Sequence, residues 1–306
     1  MLEINIANLQ EHEIIRAKQY DEYDTVNLVI PAEIRVIDKY AFARFGKLET
    51  LKFERGSAIE IIEEDAFSGC PQLKSVVLPK NLRVIGKRAF AGCSKLGDVT
   101  FEKNNQLEII GEQAFMMVGK NLMGYEFKSH PLVFSSNFKS LGEKAFSNCQ
   151  NLLSEVDFSK VLYLSEIPMD AFCLSRIGKV TFPTSGCIKT IGESAFAHAG
   201  VTVIMPASGV RTIKRKAFSG STLTEFDFRG VQHIEDLAFS STNLGEVLIP
   251  TTCQLGTGVF DAFLSNCRVY RKDLPLLEPY DSSTTNIGNS ESLSDKLKGL
   301  FGRFKK

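Results

Sequence analysis

The chain has 306 residues with 36 basic and 36 acidic side chains, and it carries 23 Phe and 7 Tyr but no Trp. That balance gives no electrostatic reason to expect nucleic acid or another polyanion against the body of the chain as a whole. No apolar run approaches the ~18–20 residues of a membrane-spanning helix. Seven cysteines without a C-x-x-C spacing, and no N-x-Ser/Thr acceptor, predict free thiols in an intracellular, cytoplasmic chain.

Residues 1–24, opening MLEINIANLQEHEIIRAK, set acids among apolar residues, lack the apolar core of a secretory signal and precede the first clear strand. They are expected to cap the open first coil of a repeat array. From 25 to 276 one pattern recurs. Aligned on the Phe of RVIGKRAFAGC it occurs ten times, at Phe42, Phe67, Phe90, Phe115, Phe146, Phe172, Phe196, Phe218, Phe239 and Phe260, at intervals of 25, 23, 25, 31, 26, 24, 22, 21 and 21 residues. A period of that size marks a solenoid.

Each copy opens on an alternating stretch such as QLKSVVLP (72–79), KLGDVTF (95–101), TLTEFDF (222–228) or NLGEVLIP (243–250), a short strand with Val and Leu or Phe inward. Pro79, Pro183, Pro206 and Pro250 end it. A second short extended piece comes next (LRVIG, LEIIG, IKTIG), in which Gly86, Gly111, Gly142 and Gly192 are expected at a turn with unusual backbone angles. Then EDAFSGC, KRAFAGC and EKAFSNC read as a single helical turn, with small Ala beside large Phe so that coils stack closely. One copy is too small to bury its own apolar residues, so each coil must cover the last. Cys70, Cys93 and Cys149 share the slot three residues after the Phe, filled in other copies by residues such as His198 or Ser221, and read as core thiols rather than metal or redox ligands.

This order of residues resembles the BspA-like leucine-rich repeats over about residues 26–270. The resemblance implies a strand-rich α/β fold: a right-handed solenoid of about ten coils, a parallel sheet on one face, short strands and helical turns opposite. It also implies a binding scaffold, and BspA-like members are often surface adhesins.

Within the array EFKSHPLVFSSNF (126–138) reads as a loop thrown out of one coil. Outward strand positions carry Asp98, Glu126, Glu155, Asp157, Glu225, Asp227 and Glu246 against Lys52, Lys74 and Lys179, an acidic lean that would suit a basic peptide or domain. On the other side Arg83, Lys87 and Arg88 point outward, as do Lys214, Arg215 and Lys216 several coils away. HEIIR (12–16) has Arg16 where a zincin needs its second His, and His12, His130, His198 and His233 are widely spaced, so no catalytic, cofactor or metal site is expected.

After Tyr270 the repeat stops. Residues 277–291 have the polar composition of a flexible linker. In SLSDKLKGLFGRFKK (292–306), Leu293, Leu297, Leu300, Phe301 and Phe304 fall in an arc of about 100°, flanked by Lys296 and Arg303 on one side and Lys298 and Lys305 on the other. Such an amphipathic basic helix could lie on an anionic membrane, enter a partner's groove or pack on the last coil. Together these features predict a non-catalytic scaffold that binds a protein partner, attached peripherally to a membrane by its tail. The alternative is a secreted or cell-surface adhesin of the BspA-like type.

Overall fold

The computed structural model describes residues 13–16, 25–119, 130–150, 153–205, 209–261 and 267–272. The chain divides into Met1–Leu276 and Leu277–Lys306, and every described residue belongs to the first unit. That unit is a strand-rich solenoid of parallel sheets.

Each regular coil runs through a long strand, a two-residue strand and a turn bearing a ladder phenylalanine. The long strands Asn27–Ile30, Thr50–Phe53, Ser75–Leu78 and Asp98–Phe101 form one parallel sheet. His130–Val133, Leu153–Asp157, Lys179–Thr181 and Val203–Met205 form a second, and Glu246–Ile249 with Arg268–Arg271 a third. Alternation is the cause: Leu28, Ile30, Leu51, Val76, Leu78 and Val99 are buried, while Val29, Lys52 and Val77 between them face out. The two-residue strands make two further parallel stacks, Ile14–Ile15 through Ser140–Leu141 and Glu166–Ile167 through Gln254–Leu255. The first of these begins inside the segment expected to precede any strand. Ile14 pairs with Val36 and Ile15 with Ile37, so residues 14–15 add a rung below the first full coil.

No α-helix occurs among the described residues, and the expected helical turn is replaced by something else. The residues two before the ladder phenylalanines (Tyr40, Asp65, Arg88, Gln113, Lys144, Asp170, Ser194, Lys216, Leu237) and two after them (Arg44, Gly69, Gly92, Met117, Asn148, Leu174, His198, Gly220, Ser241) all have φ between 52° and 72°. A right-handed helix cannot hold left-handed residues at that spacing. The next coil holds them instead. The Phe42, Phe67 and Phe90 N–H groups donate to the Ala66, Ala89 and Ala114 carbonyls, each at 2.8 Å, and the flanking Asp65 and Gly69 N–H groups donate at 2.8 Å to Lys87 and Ala91. The turn face is thus a third inter-coil ladder. Its bonds offset a conformational cost of roughly 1–2 kcal/mol per non-glycine residue.

Glycine is used where two coils touch. Gly86, Gly111, Gly142 and Gly192 are not at positive φ, contrary to expectation. A Cβ on Gly142 would lie 2.2 Å from the Glu112 nitrogen, and one on Gly86 would lie 2.6 Å from the Glu63 carbonyl carbon. What the position demands is absence of a side chain.

Inside, the ten repeat phenylalanines stack in one column, with successive centroids 5.0–5.6 Å apart and planes within 14° of parallel. Phe42 through Phe239 are buried, and Phe260 at the end is only half-buried.

Two stretches depart from their sequence reading. Of 126–138, residues from His130 on are described, and they are not a protruding loop. His130–Val133 pairs in parallel with Leu153–Asp157, with a register shift beside Pro131, which has no N–H to donate. Leu132 and Phe134 are buried because they continue the inward alternation, and Phe138, after the turn that follows, is buried against Phe134. TLTEFDF departs the other way: only Glu225 makes a bridge, and Phe226 and Phe228 pack against Phe239 in the core.

Candidate protein-binding face

The sequence-predicted acids do not gather into one patch. Asp98, half-buried on the first long sheet, accepts the Thr100 hydroxyl at 3.0 Å. Glu155 and Asp157 share a strand of the second sheet. Glu155 is exposed and in register with Lys179, while Asp157 accepts the Ser159 N–H at 2.7 Å. Glu246, on the third sheet, lies 3.4 Å from the guanidinium of Arg268, its partner in register. Glu225 is half-buried in the coil without a long strand. Asp227 corrects the outward reading. Its side chain is only 5% exposed, gripped by the Arg229 guanidinium through contacts of 2.7–3.1 Å, because the turn after Phe228 folds Arg229 back over it. Glu126 lies outside the described residues. Lys52 and Lys179 are exposed on the same faces as these acids.

Most members of the basic clusters elsewhere meet carboxylates of other coils. Lys87 meets Glu112 at 2.7 Å, Arg88 is bound to Asp65 and Glu64, Lys214 meets Glu166 at 3.0 Å and Arg215 meets Glu193 at 3.4 Å. One residue before each short strand, Glu13, Arg35, Glu60, Arg83, Glu108 and Lys139 alternate in sign through six successive coils. Arg35 bridges Glu13 (3.9 Å) and Glu60, Arg83 bridges Glu60 (3.7 Å) and Glu108 (2.7 Å), and Lys139 closes on Glu108 at 2.8 Å. Burial pushes the Glu108 carboxyl up, and the bonds and charges of Lys139 and Arg83 outweigh it, holding it below its ordinary range. Exposed pairs contribute at most about 1 kcal/mol each. In this column, charge is matched from coil to coil.

A different column borders the clearest concavity. A cleft of about 660 Å³ opens on the outward side of Thr50–Phe53 and Ser75–Leu78 and runs over the turns beyond them, lined among others by Lys52, Phe53, Glu54, Arg55, Val77, Pro79, Lys80 and Glu102. Val77 is 54% exposed, and Val29, in register with Lys52 on the same face, is 51% exposed. The two carboxylates at the rim are engaged by backbone: Glu54 accepts the Ala32 N–H at 3.1 Å and Glu102 the Lys80 N–H at 3.0 Å. Strand register aligns Ile30 with Phe53 and Leu78 with Phe101, so the positions two residues further on also repeat: Ala32, Arg55, Lys80 and Lys103. Arg55, Lys80 and Lys103 are exposed and, like Lys52, form no ion pair among the described residues. Reading only strand positions missed this column. Its signal was the recurrent cation two residues past the strand in FER, LPK and FEK.

The thiol slot is core. Cys70, Cys93 and Cys149 are buried and donate to the Phe42, Phe67 and Phe115 carbonyls at 3.2, 3.2 and 2.9 Å. Burial pushes the Cys149 thiol up to about 12 and the Cys93 thiol well above its usual value. His198 does not fill this slot. It sits one residue earlier, exposed at positive φ with its ring over Gly220, and Ala199 is the occupant. Ser221 does fill it, and its buried hydroxyl has no partner among the described residues. No group of three or more His, Cys, Asp or Glu able to hold a metal occurs among the described residues, from which His12 is excluded. The tail residues Leu293, Lys296, Leu297, Lys298, Leu300, Phe301, Arg303, Phe304 and Lys305 also lie outside them. No helix among the described residues is long and apolar enough to cross a membrane.

Against known families, residues 13–152 and 119–245 match the BspA type leucine rich repeat region, in 6 copies. Curated proteins give no significant match. Among solved structures, the chain is similar to the pneumococcal vaccine antigen PcpA, at 19% identity and a TM-score of 0.40 over 81% of this chain and 80% of that one. It is also similar to a leucine rich cell surface protein of Faecalibacterium prausnitzii, at 18% identity and 0.38 over 76% and 78%. A leucine-rich repeat protein of Bacteroides ovatus gives 18% and 0.36 over 80% and 84%.

Proposed function

We propose, from the premise that this chain belongs to the BspA type leucine rich repeat family, that it is a protein-interaction scaffold whose first long-strand sheet is a binding face. The observation that carries this reading is the cleft over Thr50–Phe53 and Ser75–Leu78, where Val77 stands more than half exposed on a hydrogen-bonded sheet, with the equally exposed Val29 on the neighbouring strand of the same face. Apolar side chains left in a concavity and rimmed by charge favour association with a partner. The cleft offers hydroxyls, cations and apolar surface, the means of recognition, and its lining contains no histidine or cysteine that would serve a nucleophile. A second reading, an adhesin displayed at the cell surface, is favoured by the family itself. It changes where the partner resides and leaves the chemistry of the face unaltered.

Selection of random displayed peptides on the immobilised full chain tests the binding face. The expected result is enrichment of peptides that bind the wild type and Ser140→Arg, which alters an exposed short-strand position, and are lost on Val77→Arg. Enriched peptides indifferent to Val77→Arg would refute this face. Fractionating the native cells separates the two readings, since an adhesin must be found outside the membrane barrier.

A further inference from the structure

We infer that the cleft over coils two to four is a docking groove for an acidic, extended peptide segment that seats an apolar side chain against Val77 and Phe53. This deepens the proposed function and rests on it.

The first ground is the contrast between two repeating columns. Along Glu13, Arg35, Glu60, Arg83, Glu108 and Lys139 charges alternate and pair from coil to coil. Along Arg55, Lys80 and Lys103 three cations succeed one another and make no ion pair among the described residues, and the first two of them line the cleft. Parallel strands are about 4.8 Å apart, so like charges at equivalent positions of successive coils repel one another and offer the fold nothing in return. Lys52, exposed on the adjoining strand, adds a fourth. An anionic ligand would turn that repulsion into attraction and steer its own approach.

The second ground is what shares the groove with the cations. Val77 is 54% exposed, and with the half-buried Phe53 above the buried Pro79 it makes an apolar floor suited to a side chain. Glu54 and Glu102 stand at the rim, each with an oxygen held by a backbone N–H. Two fixed carboxylates oppose a dense polyanion such as a sulfated glycan, and an apolar floor gives such a chain nothing to bind. A peptide with a few carboxylates spaced around one aliphatic residue satisfies both features.

The test uses the full chain and fluorescein-labelled decapeptides that share one central Leu and differ in four flanking residues, all Glu, all Gln or all Lys, read by anisotropy. The Glu peptide is expected to bind, and the Lys52→Glu/Lys80→Glu variant to weaken it by about tenfold or more, as does raising the salt from about 50 to 300 mM. Replacing the Leu by Gly should weaken the Glu peptide as well, and Lys179→Glu, on the second sheet, should leave it unchanged. A heparin oligosaccharide that binds more tightly than the Glu peptide and ignores Val77→Arg would overturn the inference in favour of a glycan. Equal binding of all three peptides would also overturn it. If library-selected peptides still depend on Val77 in that case, the binding face survives and only its acidic specificity falls; if none does, both fall. Circular dichroism of the double variant, expected to match wild type because both lysines are exposed and form no ion pair among the described residues, guards against loss through unfolding.

Discussion

Phe115 and Phe146 are 31 residues apart, the longest interval in the ladder, yet their rings stack with centroids 5.2 Å apart and planes 4° from parallel. The added residues lie between the Phe115 turn and the strand His130–Val133, and the column passes them without a break. Phe146 therefore has a ring on each side, whereas Phe260 has one stacked neighbour among the described residues, Phe239, and is half-buried. Phe146→Ala should cost about 3–5 kcal/mol and Phe260→Ala distinctly less. Urea midpoints at unchanged slope would show it, and equal losses would contradict graded burial along the column.

The close-approach glycines make a sharper test. At Gly142 a Cβ meets the Glu112 backbone at 2.2 Å, whereas at Gly245 no atom of the described residues lies within 4 Å. Gly142→Ala should cost on the order of 1–3 kcal/mol or more, since backbone of the preceding coil has to move. Gly245→Ala should be close to neutral. Thermal melts of the two variants side by side decide the matter.

Ser221 occupies the slot in which Cys70, Cys93 and Cys149 reach a ladder carbonyl, but its hydroxyl is buried without a partner among the described residues. Ser221→Ala should accordingly leave stability unchanged or raise it by up to about 1 kcal/mol, and a loss beyond that would reveal a bond to the hydroxyl.

The thiols link stability to alkaline pH. Burial raises the Cys149 thiol to about 12 in the folded chain, whereas unfolded it ionises near 9. Its contribution is complete below about pH 9 and is lost as pH rises from there towards 12, because the unfolded state releases the proton first. Cys149→Ala should lose less stability than wild type between pH 8 and about 10.5, measured as the difference in urea midpoints. An identical pH slope in both proteins would show that the thiol is accessible when folded.

The inward half of each coil was legible in the sequence, because burial repeats: the Phe register, the Leu and Val alternation and the Cys70, Cys93 and Cys149 slot are all set by apolar contact. The turn conformation was not. EDAFSGC has a helix-compatible composition, and only the inter-coil hydrogen bonds explain why Asp65 and Arg88 sit in left-handed backbone. Gly142 was legible as a special position but not for its reason, since close approach and positive φ leave the same letter. The acidic face failed at Asp227 because a strand was assumed where Phe226 and Phe228 turn into the core, and Arg229 closes over the carboxylate. The cleft went unread because its cations lie past the strand ends, where a two-residue alternation gives no guidance.

The central claim, that the first long-strand sheet is the binding face, is tested most directly by footprinting single introduced thiols. Because Cys70, Cys93, Cys149 and Cys253 are buried and Cys173, Cys187 and Cys267 half-buried, Val77→Cys and Ser140→Cys should each add one fast-reacting thiol on a peptide of its own, apart from the slower native thiols. Maleimide labelling in the presence of a library-selected peptide is then read out by mass spectrometry of the digested chain. The account predicts that the peptide slows labelling at position 77 and leaves position 140 unchanged; protection at 140 with position 77 still reacting freely would contradict it.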